Sequence, residues 1–289
     1  AGCACLGMLI PPSVLLIVWG IITEDSIGKL FVAGVIPGVL LAGFFAAYNM
    51  FTAKMNPSIA PEPDAMGDVA PLTKSQIYSG ASIIGLIFLV LGGIWGGFFT
   101  ATEAAGVGAL AGMCIAIAKG LRYKELVDCI IDAGKTSAPI MILLITAGMY
   151  SRFLSLADID SLIIGAMTSA GLDGAMGLVV MVIIWLLLGM LLDSISIILL
   201  TVPLFMTLSS GMDPYAFAIF GILAIEAGLL TPPFGLIVYT VKGVLSGTGH
   251  DVPLNQIFSG SIPYWLMMLV VMILVVIFPG LASWLTTFV

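Results

Sequence analysis

Charge is scarce in this chain: charged residues make up 9% of 289, with 9 Lys and Arg against 16 Asp and Glu. That balance excludes a nucleic-acid surface and a polybasic lipid-binding face, both of which need clustered positive charge. Histidine occurs once, at His250, and the four cysteines, Cys3, Cys5, Cys114 and Cys129, form no CxxC pair. A zinc site and a disulfide framework are therefore not expected. HExxH and GxSxG are both absent, which removes the two commonest signatures of an intramembrane hydrolase. No cofactor is called for. The first residue, Ala1, already lies in an apolar segment with no charged region before it, unlike a signal peptide.

Apolar surface is abundant. Hydrophobic residues make up 61% of the chain and the mean hydropathy is +1.22, more than a water-soluble core can absorb. The expected fold class is an all-α polytopic membrane protein in a lipid bilayer. Windows of about 20 apolar residues place continuous spans near 31–52, 77–97, 102–119, 138–156 and 261–287. A further apolar run of about 34 residues, near 175–208, is interrupted by Asp193 and Ser194 and is too long for one ordinary span. It reads as a helical hairpin with its tip at those residues; one over-long tilted helix is the alternative. The segment GLRYKELVDCIIDAGK has apolar positions at helical spacing and fits an arm helix along the cytoplasmic interface.

Two further segments, LGMLIPPSVLLIVWG and AGLLTPPFGLIVYTVKG, carry the same break. Pro11 and Pro12 precede Pro232 and Pro233 by 221 positions, and Gly7 precedes Gly228 by the same offset. The halves of the chain read as repeats. Each proline lacks an amide donor and clashes with the carbonyl four residues back, which frees the carbonyls of Gly7 and Met8, and of Gly228 and Leu229. In hydrocarbon an unpaired carbonyl costs several kcal/mol, so such a break persists only inside protein or against a cavity holding water or ions. Matched broken helices mark the binding sites of secondary transporters.

The pattern also gives domains and sides. Residues 1–52 read as the end of a first repeat, 53–76 as a cytoplasmic linker, 77–98 as a connecting span and 99–289 as a second repeat, with the hairpin at about 175–208 and the broken helix at about 213–246. Simple register expects about 120 further residues before Ala1, so the chain reads as a fragment lacking half of the first repeat. Lys54 and Lys74 flank one polar stretch, while Lys119, Arg122, Lys124 and Lys135 form a second basic cluster. Both should be cytoplasmic. From the loop at Glu24 and Asp25 to the loop around His250, four spans and one broken helix make five crossings. GVIP at Gly34–Pro37 and GSIP at Gly260–Pro263 then enter the membrane from opposite faces, as inverted repeats do.

A broken helix presents carbonyls at the end of its first half and amides at the start of its second. The carbonyls suit Na⁺, for which the stretch Gly228–Thr231 offers backbone oxygens, including those of Gly228 and Leu229, and the Thr231 hydroxyl. Gly7, Met8 and Ser13 are the corresponding candidates at the first break. Pro11, Pro12, Pro232 and Pro233 set the breaks; a kink serving helix packing alone is the competing reading. Asp193, Ser194 and Ser196 at the hairpin tip are the remaining ligand candidates, although Asp193 also fits a plain helix cap. Gly189 would let the tip approach the broken helix. Glu226, two residues before Gly228, is either a counter-charge for the ion or a proton-coupling carboxylate. Glu103 fits a capping box with Thr100, and Gly106, Gly108 and Gly112 suit close helix contact.

GMLIPPSVLLIVWGIITEDSIGKLFVAGVIPGVLLA, FFTATEAAGVGAL, GMLLDSISIILLTVPL and EAGLLTPPFGLIVYTVKG together resemble the large membrane subunit of tripartite ATP-independent periplasmic (TRAP) transporters along nearly the whole chain. The resemblance implies an elevator-type, sodium-driven importer of organic acids in the bacterial or archaeal inner membrane. It implies as partners a small four-helix membrane subunit and a soluble periplasmic binding protein that delivers the substrate. Carried over by position, Gly7–Ser13 would form one ion loop, and Asp193–Ser196 with Gly228–Pro233 the second. The first hairpin that should complete the site beside Pro11 is not in this sequence, so the chain alone is not expected to transport. Two other readings stay open: an ion-coupled carboxylate carrier needing no binding protein, and a non-transporting structural subunit. The topology is testable. Single cysteines at Asn56 and Gly247 should label only from the cytoplasm and one at Ser26 only from outside; Ser26 and Gly247 reporting the same side would defeat the inversion.

Overall fold

The structure is a computed structural model that describes residues 1–57, 73–172, 174–209, 211–247 and 252–289. His250 and most of the polar linker lie outside the described residues. The described residues form helices α1 (Gly2–Leu9), α2 (Val14–Thr23), α3 (Ile27–Met55), α4 (Lys74–Trp95), α5 (Ala101–Ala118), α6 (Tyr123–Leu156) and α7 (Ile159–Ser169). These are followed by α8 (Gly174–Gly189), α9 (Ser194–Leu208), α10 (Pro214–Leu230), α11 (Leu236–Gly247), α12 (Leu254–Ile277), α13 (Gly280–Ser283) and a 3₁₀ turn at Leu285–Phe288. No strand occurs among them. Five helices, α3, α4, α5, α6 and α12, are long and apolar enough to cross a membrane, and up to seven spans result if each of two bent pairs counts as one.

Each expected span has its helix, but two boundaries differ. The basic arm segment is continuous with the span after it, so that α6 runs 34 residues without a break, and Pro139 sits inside it. The last span ends at Ile277 instead of running to residue 287; Phe278 leaves helical geometry ahead of Pro279, and α13 starts afresh.

Two compact units are present. One comprises Ala42–Asp132, with Val289. In it α4 packs against α5, and Thr100 opens α5 through a reciprocal cap: its amide donates 2.8 Å to Glu103 Oε2, and its hydroxyl accepts from the Glu103 amide at 3.3 Å. Glu103 is occupied in capping. Of the three glycines expected at close helix contacts, only Gly108 is at one, where a Cβ would sit 2.9 Å from Val90 Cγ2; Gly106 and Gly112 face open space.

The other unit comprises Ala1–Leu41 and Ala133–Phe288. Its centre is α10, whose residues from Ala216 to Leu230 are all buried. A helix apolar on every side must be enclosed by protein, and α8, α12, α1, α11 and α13 all pack on it. Aromatic rings lock this core. Trp185 stacks edge-on against Phe205 at 5.1 Å and Phe220 at 5.7 Å, and Trp19 meets Phe217 at 5.6 Å. Gly221 makes room for them, since a Cβ there would lie 2.5 Å from the Trp19 ring.

α8 and α9 fold back on each other. Sixteen residues of straight helix would separate Trp185 from Thr201 by about 24 Å, yet the Trp185 indole N–H donates to the Thr201 hydroxyl at 2.8 Å. The chain reverses at residues 190–193. Gly189, at the end of α8, crosses Gly228 of α10 so closely that a Cβ on Gly189 would lie 2.6 Å from the Gly228 Cα, and one on Gly228 would lie 2.8 Å from the Trp185 carbonyl oxygen. Both obstacles are backbone and cannot swing aside. Gly189→Ala should therefore destabilise by about 1–3 kcal/mol, the usual cost of overpacking. Gly112→Ala, in open space, should be neutral or slightly stabilising. Detergent melting curves of the two variants check this, and equal behaviour would show the crossing to be loose.

Candidate ion-binding site

At the first break α1 and α2 meet at 45°, and the Pro11–Pro12 peptide is cis. The helix stops at Leu9, and the Ile10 amide still reaches the Leu6 carbonyl at 3.0 Å. Ser13 starts α2: its oxygen accepts from the Leu16 amide at 3.4 Å, and its hydroxyl donates back to the Met8 carbonyl. One of the two carbonyls released by the prolines is thus recaptured locally. The other, on Gly7, has no hydrogen-bond donor among the described residues. α3 closes over this break through the GVIPG stretch, because Gly34 lets the backbone pass within 2.7 Å, measured from an added Cβ, of the Leu9 oxygen.

The second break has the same plan with different chemistry. The Pro232–Pro233 peptide is cis. The Thr231 amide donates to the Gly228 carbonyl at 2.9 Å, which leaves the Leu229 carbonyl as the one without a donor among the described residues. The Thr231 hydroxyl donates to the Ala227 carbonyl at 2.8 Å and accepts from the Trp265 indole at 3.1 Å. Gly235, at φ +44, turns the chain into α11 beneath Phe258. Expected as four freed carbonyls, the two breaks therefore present one each, at Gly7 and Leu229. A proline break frees two acceptors, but a neighbouring serine hydroxyl or capping amide reclaims one.

At the hairpin tip Asp193 caps α9, its carboxylate accepting from the Ser196 amide at 3.1 Å and the Ser196 hydroxyl at 2.5 Å. Asp193 is exposed. Ser196 also lines a cavity of about 330 Å³ with Thr146, Tyr150 and Leu200. Ser194 is turned the other way, into the core, where its hydroxyl donates to Glu226 Oε1 at 2.7 Å. Glu226 is 1% exposed, and its Oε2 has no hydrogen-bond partner among the described residues.

Ser194, Glu226, Gly228 and Gly189 are thus brought together. Thr231 caps the end of α10 three residues beyond Gly228, and at the first break Met8 and Ser13 bond to each other locally while the Gly7 carbonyl has no donor among the described residues. The link between the breaks is Cys5, whose thiol lies 3.8 Å from the Glu226 carbonyl oxygen. Cys5 was absent from the expected site, although the sequence held the signal: Cys5 and Glu226 are separated by 221 positions, the offset that relates the two Pro-Pro pairs. Trp265 was also missed, since an indole on a lipid-spanning helix has no motif to mark it.

The family model of the tripartite ATP-independent periplasmic transporter, DctM component, matches residues 1–281. The chain is 31% identical over 290 residues to a C4-dicarboxylate TRAP transporter large permease protein of Pseudomonas aeruginosa, covering 98% of this chain and 66% of that protein. It is 30% identical to an ectoine/5-hydroxyectoine TRAP transporter large permease protein of Ruegeria pomeroyi, over 97% and 64% of the two chains. It is 26% identical to a sialic acid TRAP transporter large permease protein of Vibrio cholerae, over 95% and 63%. The chain spans about two thirds of the length of each of these relatives. With spans, breaks and hairpin running through the matched region, the chain belongs to the DctM-component family of TRAP transporters, as a multi-pass protein of the inner membrane.

Proposed function

We propose that this chain is the ion-coupled core of a sodium-driven importer of an organic acid. The observation that carries the reading is the second break, where a carbonyl without a donor at Leu229 and the Thr231 hydroxyl stand at the end of a buried helix beside a hairpin tip. Neutral oxygens in that setting suit a hard monovalent cation. The family is ATP-independent, so uphill import must draw on a gradient, and Na⁺ is the ion that these ligands favour in our reading. Gly7, Met8 and Ser13 form one ion loop; Asp193, Ser194 and Ser196 with Gly228, Leu229 and Thr231 form the other, their shapes set by Pro11, Pro12, Pro232 and Pro233. Relatives named for C4-dicarboxylates, sialic acid and ectoine support an organic-acid cargo. Its delivery by a periplasmic binding protein, the bracing of this chain by a small four-helix membrane subunit, and an elevator movement complete the proposal.

Partner dependence separates this reading from a self-sufficient carboxylate carrier. Uptake by the full-length protein in liposomes should require the binding protein, and undiminished uptake without it would favour the carrier.

The ion loop is tested by replacing Pro232 and Pro233 together with alanine, which restores helix propensity and lets the Leu229 carbonyl rejoin the helical ladder. A ligand stabilises only the state it binds. Sodium, titrated against potassium, should raise the melting temperature of the full-length wild type and fail to raise that of the double variant. A kink serving packing alone predicts altered stability with the sodium shift intact, and that result would remove the ion loop. Thr231→Ala and Asp193→Asn should each raise the sodium concentration needed for half-maximal uptake.

A further inference from the structure

Glu226 is the one acidic side chain in the buried core of α10, and it touches both other parts of the site. Its carboxyl takes the Ser194 hydroxyl at the hairpin tip at 2.7 Å, and its carbonyl oxygen lies 3.8 Å from the Cys5 thiol, two residues before Gly7. Glu226 itself stands two residues before Gly228, while Ser194 adjoins Asp193. The three segments that make up the two proposed ion loops are thus referred to one residue. The close backbone crossing of Gly189 and Gly228 sets the distance between hairpin and broken helix, but a pair of glycines has no side chain to fix rotation or sliding. The Ser194 to Glu226 hydrogen bond supplies that fix.

A carboxylate held as an ion's counter-charge, or one paired within the protein, would need positive charge or a ring of oxygens around it. No Lys or Arg occurs on α1, α2, α8, α9, α12 or α13. Lys242 on α11 donates its ammonium to the Val252 carbonyl at 2.8 Å. The strong donor to the Glu226 carboxyl is the Ser194 hydroxyl, the weakly donating Cys5 thiol lies beside it, and the surrounding residues of α10 from Ala216 to Leu230 are apolar apart from Glu226 itself. What this setting uses is an acceptor oxygen in a fixed place, which a neutral group provides equally well.

We infer that Glu226 is a positioning residue: it locks the hairpin tip in register with the second break, so that Asp193–Ser196 and Gly228–Thr231 act as one ion site, and it does so as a hydrogen-bond acceptor and not as a charge. This rests on the sodium reading above.

The test uses the full-length transporter in liposomes, with Ser194→Ala, Glu226→Ala, Glu226→Gln and the double alanine variant. Ser194→Ala and Glu226→Ala should each raise the sodium concentration for half-maximal uptake about ten-fold, as loss of one buried hydrogen bond predicts. Substrate half-saturation at saturating sodium should move by less than about two-fold, and the double variant should be no worse than Glu226→Ala, since both remove the same contact. Glu226→Gln should stay near wild type because its amide oxygen accepts the same hydroxyl. Amide hydrogen exchange at residues 190–196, followed in potassium, should quicken in both alanine variants and not in Glu226→Gln. A glutamine variant as impaired in sodium response as the alanine variant would overturn the inference in favour of counter-charge. Additive losses, an unquickened tip in Ser194→Ala, or a quickened tip with unaltered sodium response would overturn it too. If Glu226→Ala fails to fold, the near-isosteric Ser194→Ala and Glu226→Gln decide alone. If wild type shows no sodium response, the ion reading fails, and exchange in potassium still reports whether Glu226 holds the tip.

Discussion

A proline donates no backbone hydrogen bond, and inside a bilayer the carbonyl it orphans has no bulk water to turn to. The larger unit is organised around that constraint. Each Pro-Pro pair releases two acceptors where a helix would otherwise run through, and protein backs each break on one side while Gly7, Pro12, Pro232 and Pro233 stay exposed. Gly34 brings the backbone of α3 against the first break, and α12 offers Trp265 and Phe258 to the second. Local donors then reduce the debt by half, through Ser13 on Met8 and the Thr231 amide on Gly228. Of the carbonyls that the prolines release, one at each break keeps no donor among the described residues, on Gly7 and on Leu229.

Holding that polarity next to the hairpin is a packing problem, solved with glycine. Side chains on two facing helices ordinarily keep their axes 8–10 Å apart. At Gly189 and Gly228 neither helix has one, and the backbones touch. The same economy recurs at Gly221, which admits the Trp19 and Trp185 rings. Apolar burial gives little net force between helices already in lipid, so close approach and a few buried hydrogen bonds, Trp185 to Thr201 and Ser194 to Glu226, carry the specificity of assembly.

Composition and periodicity made the spans legible, because only long apolar runs can form them and none of the five was misplaced in kind. Boundaries were less so. The basic segment before residue 138 reads amphipathic, and Gly134 and Pro139 mark a break where it meets the span that follows, yet the helix continues through both. The GVGALAG glycines illustrate a different limit: small residues permit a close neighbour without supplying one, and only Gly108 has it. At the candidate site the prolines were visible because their effect on the backbone is absolute. The recapture of Met8 by Ser13 was not, since it depends on where a flexible hydroxyl points. Asp193 reads from sequence either as ligand or as cap, and its carboxylate in the structure is engaged by Ser196 as a cap, which leaves its remaining lone pairs for any ion.

Repetition and departure from repetition do different work in this chain. The shared 221-residue offset places Gly7 and Gly228, and the two Pro-Pro pairs, in equivalent frames, which is what makes two breaks possible from one plan. Cys5 and Glu226, separated by the same 221 positions, are in contact with each other. At that point the two residues differ. A thiol is a weak donor with little polarity to satisfy, whereas a carboxyl in the same frame must find a partner, and it finds one on the α8–α9 hairpin. The surviving carbonyls also differ, Gly7 lying in an exposed stretch and Leu229 buried. Two breaks of like backbone therefore differ in chemistry, and the difference resides in the few positions where the two segments no longer match.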